Sequence, residues 1–94
     1  MVVGVLQMRI LVRGAMSLKD KRRVVRSLRD RIRNDFNVSV SEVDALDLRQ
    51  TAVLGVALAT NDRVFADQVL AKVVDAVRRS AGEAELVDYE VEIL

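Results

Sequence analysis

The chain has 94 residues, of which 51% are hydrophobic and 31% charged, and it contains no cysteine, histidine or proline. These absences exclude disulfides, zinc–thiolate sites, cysteine nucleophiles and histidine general bases. The length suits one small domain over residues 1–94, and no segment approaches the ~20 apolar residues of a membrane span, which predicts a cytoplasmic protein with no membrane partner.

Alternating apolar residues over 2–13 predict a first strand with one buried face. Residues 14–16 turn the chain, and Ser17 is a good N-cap for a helix that ends near Asn34. The apolar residues of this helix recur at a spacing close to 3.6 residues, namely Leu18, Val24, Val25, Leu28 and Ile32.

The middle of the chain predicts a β-hairpin. A strand around residues 38–43 is expected to bulge near Ser41-Glu42, and residues 44–49 are polar enough for the hairpin loop. Residues 51–60 are apolar almost throughout, which is typical of a central strand. Gly55, in the middle of that strand, indicates close packing or a bulge.

The remaining elements are a second helix and a last strand. Asn61-Asp62 caps the helix and Ala81-Gly82 ends it. Its predicted buried face consists of Phe65, Val69, Leu70, Val73 and Val77. The last strand alternates, with Val87, Tyr89, Val91 and Ile93 expected to face inward and Asp88, Glu90 and Glu92 outward.

This element order predicts an α+β, ferredoxin-like βαββαβ sandwich. Right-handed crossovers would give a four-stranded antiparallel sheet with both helices on one face and the last strand beside the first. Glu90 and Glu92 are then expected across from Arg9 and Arg13 on the open face of the sheet.

The first helix carries most of the positive charge. Residues 1–34 hold ten bases and two acids, whereas residues 35–94 hold five bases and twelve acids. Arg22, Arg26, Arg29 and Arg33 fall in one stripe of the helix, and phosphate oxygens suit their forked guanidinium donors. We therefore predict binding of structured RNA by seven residues, which are Lys19, Lys21, Arg22, Arg23, Arg26, Arg29 and Arg33.

Two alternatives to RNA binding stay open. The stripe could be a solvated face, in which the arginines pair with acids three or four residues away in the same helix. Asp30 is the only acid near the stripe, within reach of Arg26 or Arg33. It could also meet an acidic surface of a second copy in a homodimer. Base stacking on the sheet is disfavoured, because the chain has three aromatic residues and we expect Phe65 and Tyr89 to point into the core.

The sequence contains no recognisable active site. Glu42, Asp44 and Asp47 could hold magnesium, but ordinary solvation of a loop is the favoured interpretation. Ser39 and Ser41 lack a nearby base for nucleophilic catalysis, and the glycines form no phosphate-binding loop. We predict a non-enzymatic protein with no cofactor and no metal.

Four segments resemble the YlxP-like family of small bacterial proteins of unknown function, over essentially the whole chain. They are Ser17–Arg23, Phe36–Val43, Ala52–Val56 and Asp88–Glu92. The sequence departs from the family in the hairpin loop, where relatives can carry His and Trp. The resemblance implies a ferredoxin-like fold, and the family's genes commonly lie among those for transcription elongation, translation initiation and ribosome maturation, which implies an association with the ribosome or rRNA.

Overall fold

The structure is a computed structural model that describes residues 1–80 and 82–94. Its elements are β1 (Val2–Leu11), α1 (Leu18–Asp35), β2 (Ser39–Asp44), β3 (Thr51–Thr60), α2 (Arg63–Arg79) and β4 (Glu85–Ile93). The strands form one sheet in the order β2-β3-β1-β4, and every pairing is antiparallel. This topology confirms the predicted ferredoxin-like fold, with β1 and β3 in the centre.

A single hydrophobic core lies between the helices and one face of the sheet. β1 contributes Leu6, Met8 and Ile10 to it, each with 0% exposure. Their neighbours in sequence point to the opposite, open face, because successive side chains of a strand alternate. The two helices thus cover one face of the sheet, as predicted, and no part of the described chain covers the other.

Side chains at the N-terminus of each helix define where it begins. Ser17 Oγ accepts a hydrogen bond from the backbone N of Asp20 at 3.1 Å, and the Asp20 carboxylate accepts one from the N–H of Met16. Asp62 caps α2 by accepting from the N–H groups of Val64 and Phe65. Ala81, half of the predicted stop signal of α2, lies outside the described residues.

The predicted bulge of β2 is present, and its bulged residue is Val43. The register with β3 shifts between Glu42 and Asp44, so that Val43 is the extra residue. A Cβ added at Gly55 would lie 2.8 Å from Cγ1 of Val43. Gly55 therefore leaves the space that the bulged side chain occupies, as its position within an apolar strand predicted.

The predicted burial of β4 and of the start of α2 is partly wrong. A second bulge follows the pairing of Arg9 with Asp88, so Leu86 rather than Val87 lies opposite Ile10 and packs against the core. Tyr89 and Val91 lie opposite core residues of β1 but remain 42% and 39% exposed, because β4 is the edge of the sheet. Phe65 is 50% exposed, and its neighbour Ala66 is buried instead.

The acids opposite the arginines of β1 are also different from those predicted. Arg9 pairs with Asp88 at 3.7 Å, and Arg13 pairs with Glu85 at 2.9 Å. β4 is antiparallel to β1, as predicted, but its register differs, because Asp88 lies opposite Arg9 and Glu85 lies opposite Leu11. Glu90 and Glu92 instead lie opposite Gln7 and Val5.

We predict that Gly55→Ala lowers the free energy of unfolding by about 1 kcal/mol, because the new methyl group overpacks against Val43. In a Val43→Ala background the same change should become neutral or stabilising, since alanine is the better residue in a strand. Urea unfolding of the four proteins measures this coupling. Gly14→Ala, where nothing lies within 4 Å of the added Cβ, is the control. Equal effects of Gly55→Ala in both backgrounds would contradict the explanation.

Candidate nucleic-acid interface

The periodicity of α1 places its arginines beside the core and not opposite it. The buried face of the helix consists of Lys21, Val25, Leu28 and Ile32. Each arginine of the stripe directly follows one of these residues in sequence. Successive residues are rotated by about 100° around the axis of an α-helix. The stripe is therefore one flank of α1, next to the line where the helix meets the sheet.

Arg33 shows which flank this is. Its Nη2 donates a hydrogen bond to the backbone O of Val40 in β2, at 3.0 Å. β2 is an edge strand of the sheet. The stripe thus runs along the side of the molecule formed by α1 and the free edge of β2. We call the five cations on this side, Lys19, Arg22, Arg26, Arg29 and Arg33, the basic surface.

Three members of the basic surface have no partner for their charge within the described residues. Lys19, Arg22 and Arg26 are exposed, and within the described residues their side chains make no ion pair or hydrogen bond. Arg29 is more restricted, because its guanidinium bonds Asp30 at 3.1 Å and its side chain is 33% exposed. Asp30 thus reaches Arg29 rather than Arg26 or Arg33, contrary to the prediction.

Arg23 lies away from the basic surface, although the sequence assigned it to the RNA-binding set. Its Nη2 pairs with Glu83 at 3.1 Å, across the groove between α1 and the segment that precedes β4. Arg31 is on the same side and donates to the Ser80 hydroxyl at 2.7 Å. These two arginines link α1 to the end of α2 and the segment that follows it.

Lys21 is the principal correction to the predicted site. Its side chain has 0% exposure, so it cannot contact a partner on the surface. The ammonium group lies 2.8 Å from Oε2 of Glu42 and donates to the carbonyl oxygens of Ala45 at 2.9 Å and Thr51 at 3.1 Å. A third carbonyl, that of Leu46, lies at 3.4 Å. Lys21 therefore joins the first turn of α1 to both ends of the β2–β3 loop.

The contact between Lys21 and Glu42 is an ion pair without an aligned hydrogen bond. Glu42 Oε2 is buried, and no hydrogen-bond donor in the described part of the chain is aligned with it. Four oxygen atoms lie within 3.4 Å of the ammonium group, which has three protons, and three of these oxygens are backbone carbonyls. The attraction of opposite charges at 2.8 Å is thus the compensation for burying the carboxylate.

Two of the three acids in and beside the hairpin loop make contacts that stabilise it. Glu42 pairs with Lys21, and Asp44 accepts a hydrogen bond from the N–H of Ala45, whose backbone is left-handed (φ 57°). Within residues 1–80 and 82–94, no three acidic side chains come together as ligands for a metal ion. In the same part of the chain, neither helix is long and apolar enough to cross a membrane.

Comparisons with known proteins identify a family without a known activity. Residues 3–91 match the family model described as "Protein of unknown function (DUF503)". The chain is 34% identical over 71 residues to the uncharacterized protein YlxP of Bacillus subtilis (strain 168), a match that covers 76% of this chain and 77% of that protein. The structure of this chain is similar to that of a de novo designed protein with a ferredoxin fold, with a TM-score of 0.58 and 13% identity. The match covers 97% of this chain and 85% of the designed one.

We predict that Lys21→Met lowers the free energy of unfolding by about 3–5 kcal/mol, because it leaves the Glu42 carboxylate buried without a counter-charge. The double variant Lys21→Met/Glu42→Leu should regain most of this loss. Urea unfolding followed by circular dichroism measures both. Lys19→Met, an exposed change in the same helical turn, is the control and should leave the midpoint nearly unchanged. If Lys21→Met were as stable as the control, the buried pair would not hold the hairpin.

Proposed function

This chain belongs to the DUF503 family, the YlxP-like proteins of unknown function, and we propose that it is a non-enzymatic factor that binds structured RNA through the basic surface of α1. The observation that carries the proposal is the free charge of three neighbouring cations, Lys19, Arg22 and Arg26, on one flank of a single helix. Arg29 and Arg33 extend the same flank towards the C-terminus of α1.

The position of these cations argues against a purely solvated helix. Lys19 and Arg22 lie in the first turns of α1, where the helix dipole disfavours positive charge by about 0.3–1 kcal/mol per residue. Intrahelical ion pairs do not compensate for this unfavourable interaction with the dipole. The Asp20 carboxylate accepts a hydrogen bond from the N–H of Met16, and Asp30 pairs with Arg29. A row of cations that costs stability is explained if it binds an anion.

The length of the row suits several phosphates. From Arg22 to Arg33 the helix rises about 16 Å. Guanidinium groups donate in a fixed fork to phosphate oxygens and remain charged at every physiological pH. Contacts of this kind hold the nucleic-acid backbone and carry little sequence information. We therefore propose recognition of RNA shape and charge, and the gene neighbourhood of the family makes the small ribosomal subunit the first candidate.

The three aromatic residues do not provide a stacking platform on the sheet. Tyr89 is on the helix-covered side of β4, where the guanidinium of Arg78 lies 5.2 Å from the centre of its ring. Phe65 belongs to α2, and Phe36 packs against the core. Binding by α1 rather than by the open face of the sheet thus remains the proposal, even though two of these side chains are more exposed than predicted.

Self-association through the basic surface is the competing proposal. The acids that could receive α1 include Asp44, Asp88, Glu90 and Glu92 on the open face of the sheet. A two-fold dimer would form this contact twice, with α1 of each copy against the sheet of the other. It would dissociate as salt rises, which sizing at two salt concentrations detects.

We predict salt-dependent binding to isolated small ribosomal subunits, with Arg22→Gln/Arg26→Gln reducing the slope of log affinity against log salt by about 2. Each arginine that contacts a phosphate releases about one counterion, so the loss should be largest at low salt. Fluorescence anisotropy of the labelled protein between about 50 and 200 mM salt measures the slope.

The matched control is Lys72→Gln/Arg79→Gln, which removes the same charge from exposed positions of α2. Its slope should equal that of the unaltered protein. Equal losses in the two variants would mean that net charge, and not the basic surface, determines binding. Absence of binding at both salt concentrations would overturn the proposal and favour self-association.

A further inference from the structure

The edge of β4 presents unpaired backbone groups to solvent. Val3 and Leu94 exchange both of their backbone hydrogen bonds, and hydrogen-bonded pairs alternate along an antiparallel ladder. The register therefore points the N–H and C=O groups of Tyr89, Val91 and Ile93 away from β1. Within residues 1–80 and 82–94, the carbonyl of Ile93 is the only one of these groups that has a partner, a hydrogen bond from Arg63 at 3.2 Å.

The two edges of the sheet are protected very differently. β2 has six residues, a bulge at Val43, and a carbonyl occupied by Arg33. β4 has nine residues, and its bulge at Val87 leaves the stretch from Asp88 to Ile93 regular. This stretch contains no proline or lysine, the residues that commonly protect an edge from pairing. β4 is thus the edge that remains open to a further strand.

The side chains along this stretch differ on its two sides. Tyr89 and Val91, 42% and 39% exposed, lie on the helix side. Glu90 and Glu92 lie on the open face, are exposed, and have no ion-pair partner among the described residues. The edge therefore alternates between apolar and acidic positions with a period of two.

This alternation opposes pairing between two copies of the chain. The N–H and C=O groups that point outward belong to odd-numbered residues. In an antiparallel pairing of two β4 edges, odd-numbered residues therefore lie opposite odd-numbered ones, and even-numbered residues lie opposite even-numbered ones. With Val91 opposite its own copy, Glu90 faces Glu92, and neighbouring registers also oppose acids. Like charges directly opposite each other in a sheet are destabilising. The acids repel the phosphates of RNA for the same reason.

We infer that the edge of β4 binds an extended segment of a partner protein, in which lysine or arginine alternates with apolar residues. The segment adds a fifth strand, with its backbone bonded to Tyr89 and Val91. Its cations lie opposite Glu90 and Glu92, and its apolar side chains cover Tyr89 and Val91 on the helix side. This surface is separate from the basic surface of α1, so the inference does not depend on RNA binding.

The test is the binding of a fluorescein-labelled nine-residue peptide in which lysine and valine alternate, followed by fluorescence anisotropy. Val91→Pro is the decisive variant, because it removes an N–H that points to solvent and proline is tolerated at such positions of edge strands. We expect Val91→Pro to weaken binding about tenfold or more, as the loss of one backbone hydrogen bond and of edge access requires. Glu90→Lys/Glu92→Lys should abolish binding.

Three controls separate strand addition from simple attraction of charges. Asp67→Lys/Asp75→Lys makes the same charge change on exposed positions of α2 and should leave affinity within about twofold. A peptide of the same composition with its lysines grouped, and one N-methylated at alternate residues, should bind at least about tenfold more weakly. Circular dichroism of Val91→Pro verifies that the variant is folded.

Two results would overturn the inference. Equal binding of the alternating and N-methylated peptides would mean that no strand is added. A dimer of the unaltered protein that disappears in Val91→Pro would mean that a second copy, and not a basic segment, occupies the edge. The Arg22→Gln/Arg26→Gln variant should bind the peptide normally, so failure of RNA binding and failure of this inference are distinguishable.

Discussion

The arrangement of α1 against the sheet depends on the buried ion pair between Lys21 and Glu42. It joins the first turn of α1 to β2, and the carbonyls that share the ammonium protons belong to the loop between β2 and β3. An unpaired charge at this depth would cost several kcal/mol, so the helix and the hairpin are held in one arrangement. The rotation of α1 about its axis follows from this arrangement.

That rotation determines where the positive charge of the protein lies. With Lys21 turned inward, the residue after it is turned to the flank along β2, and the same relation repeats down the helix to Ile32 and Arg33. On β4, Asp88 and Glu85 pair with Arg9 and Arg13, whereas Glu90 and Glu92 have no ion-pair partner among the described residues. The net charge of +1 thus conceals a positive flank on α1 and two unpaired acids on β4, the surfaces for which we propose an anionic partner and a cationic segment.

Most of the fold could be predicted from the sequence, because alternation and helical periodicity report directly on which side of an element is buried. The bulge of β2 was also predictable, since the alternation of Val38 and Val40 is broken before Val43. The predictions failed where burial depends on position in the sheet, as for Tyr89 at an edge, and where pairing depends on the register between strands, as for Arg9 and Asp88. For Lys21 a signal existed, because it has the spacing of Val25, Leu28 and Ile32, but its charge suggested the surface.

The most direct test of the proposed binding surface is a titration of ¹⁵N-labelled protein with a structured fragment of small-subunit rRNA, followed by the shifts of backbone amides. We predict shifts over α1 from Lys19 to Arg33 and in β2, and none in Tyr89 to Glu92 of β4. Shifts concentrated in β4 and the open face, with α1 unchanged, would contradict the assignment of the basic surface to RNA.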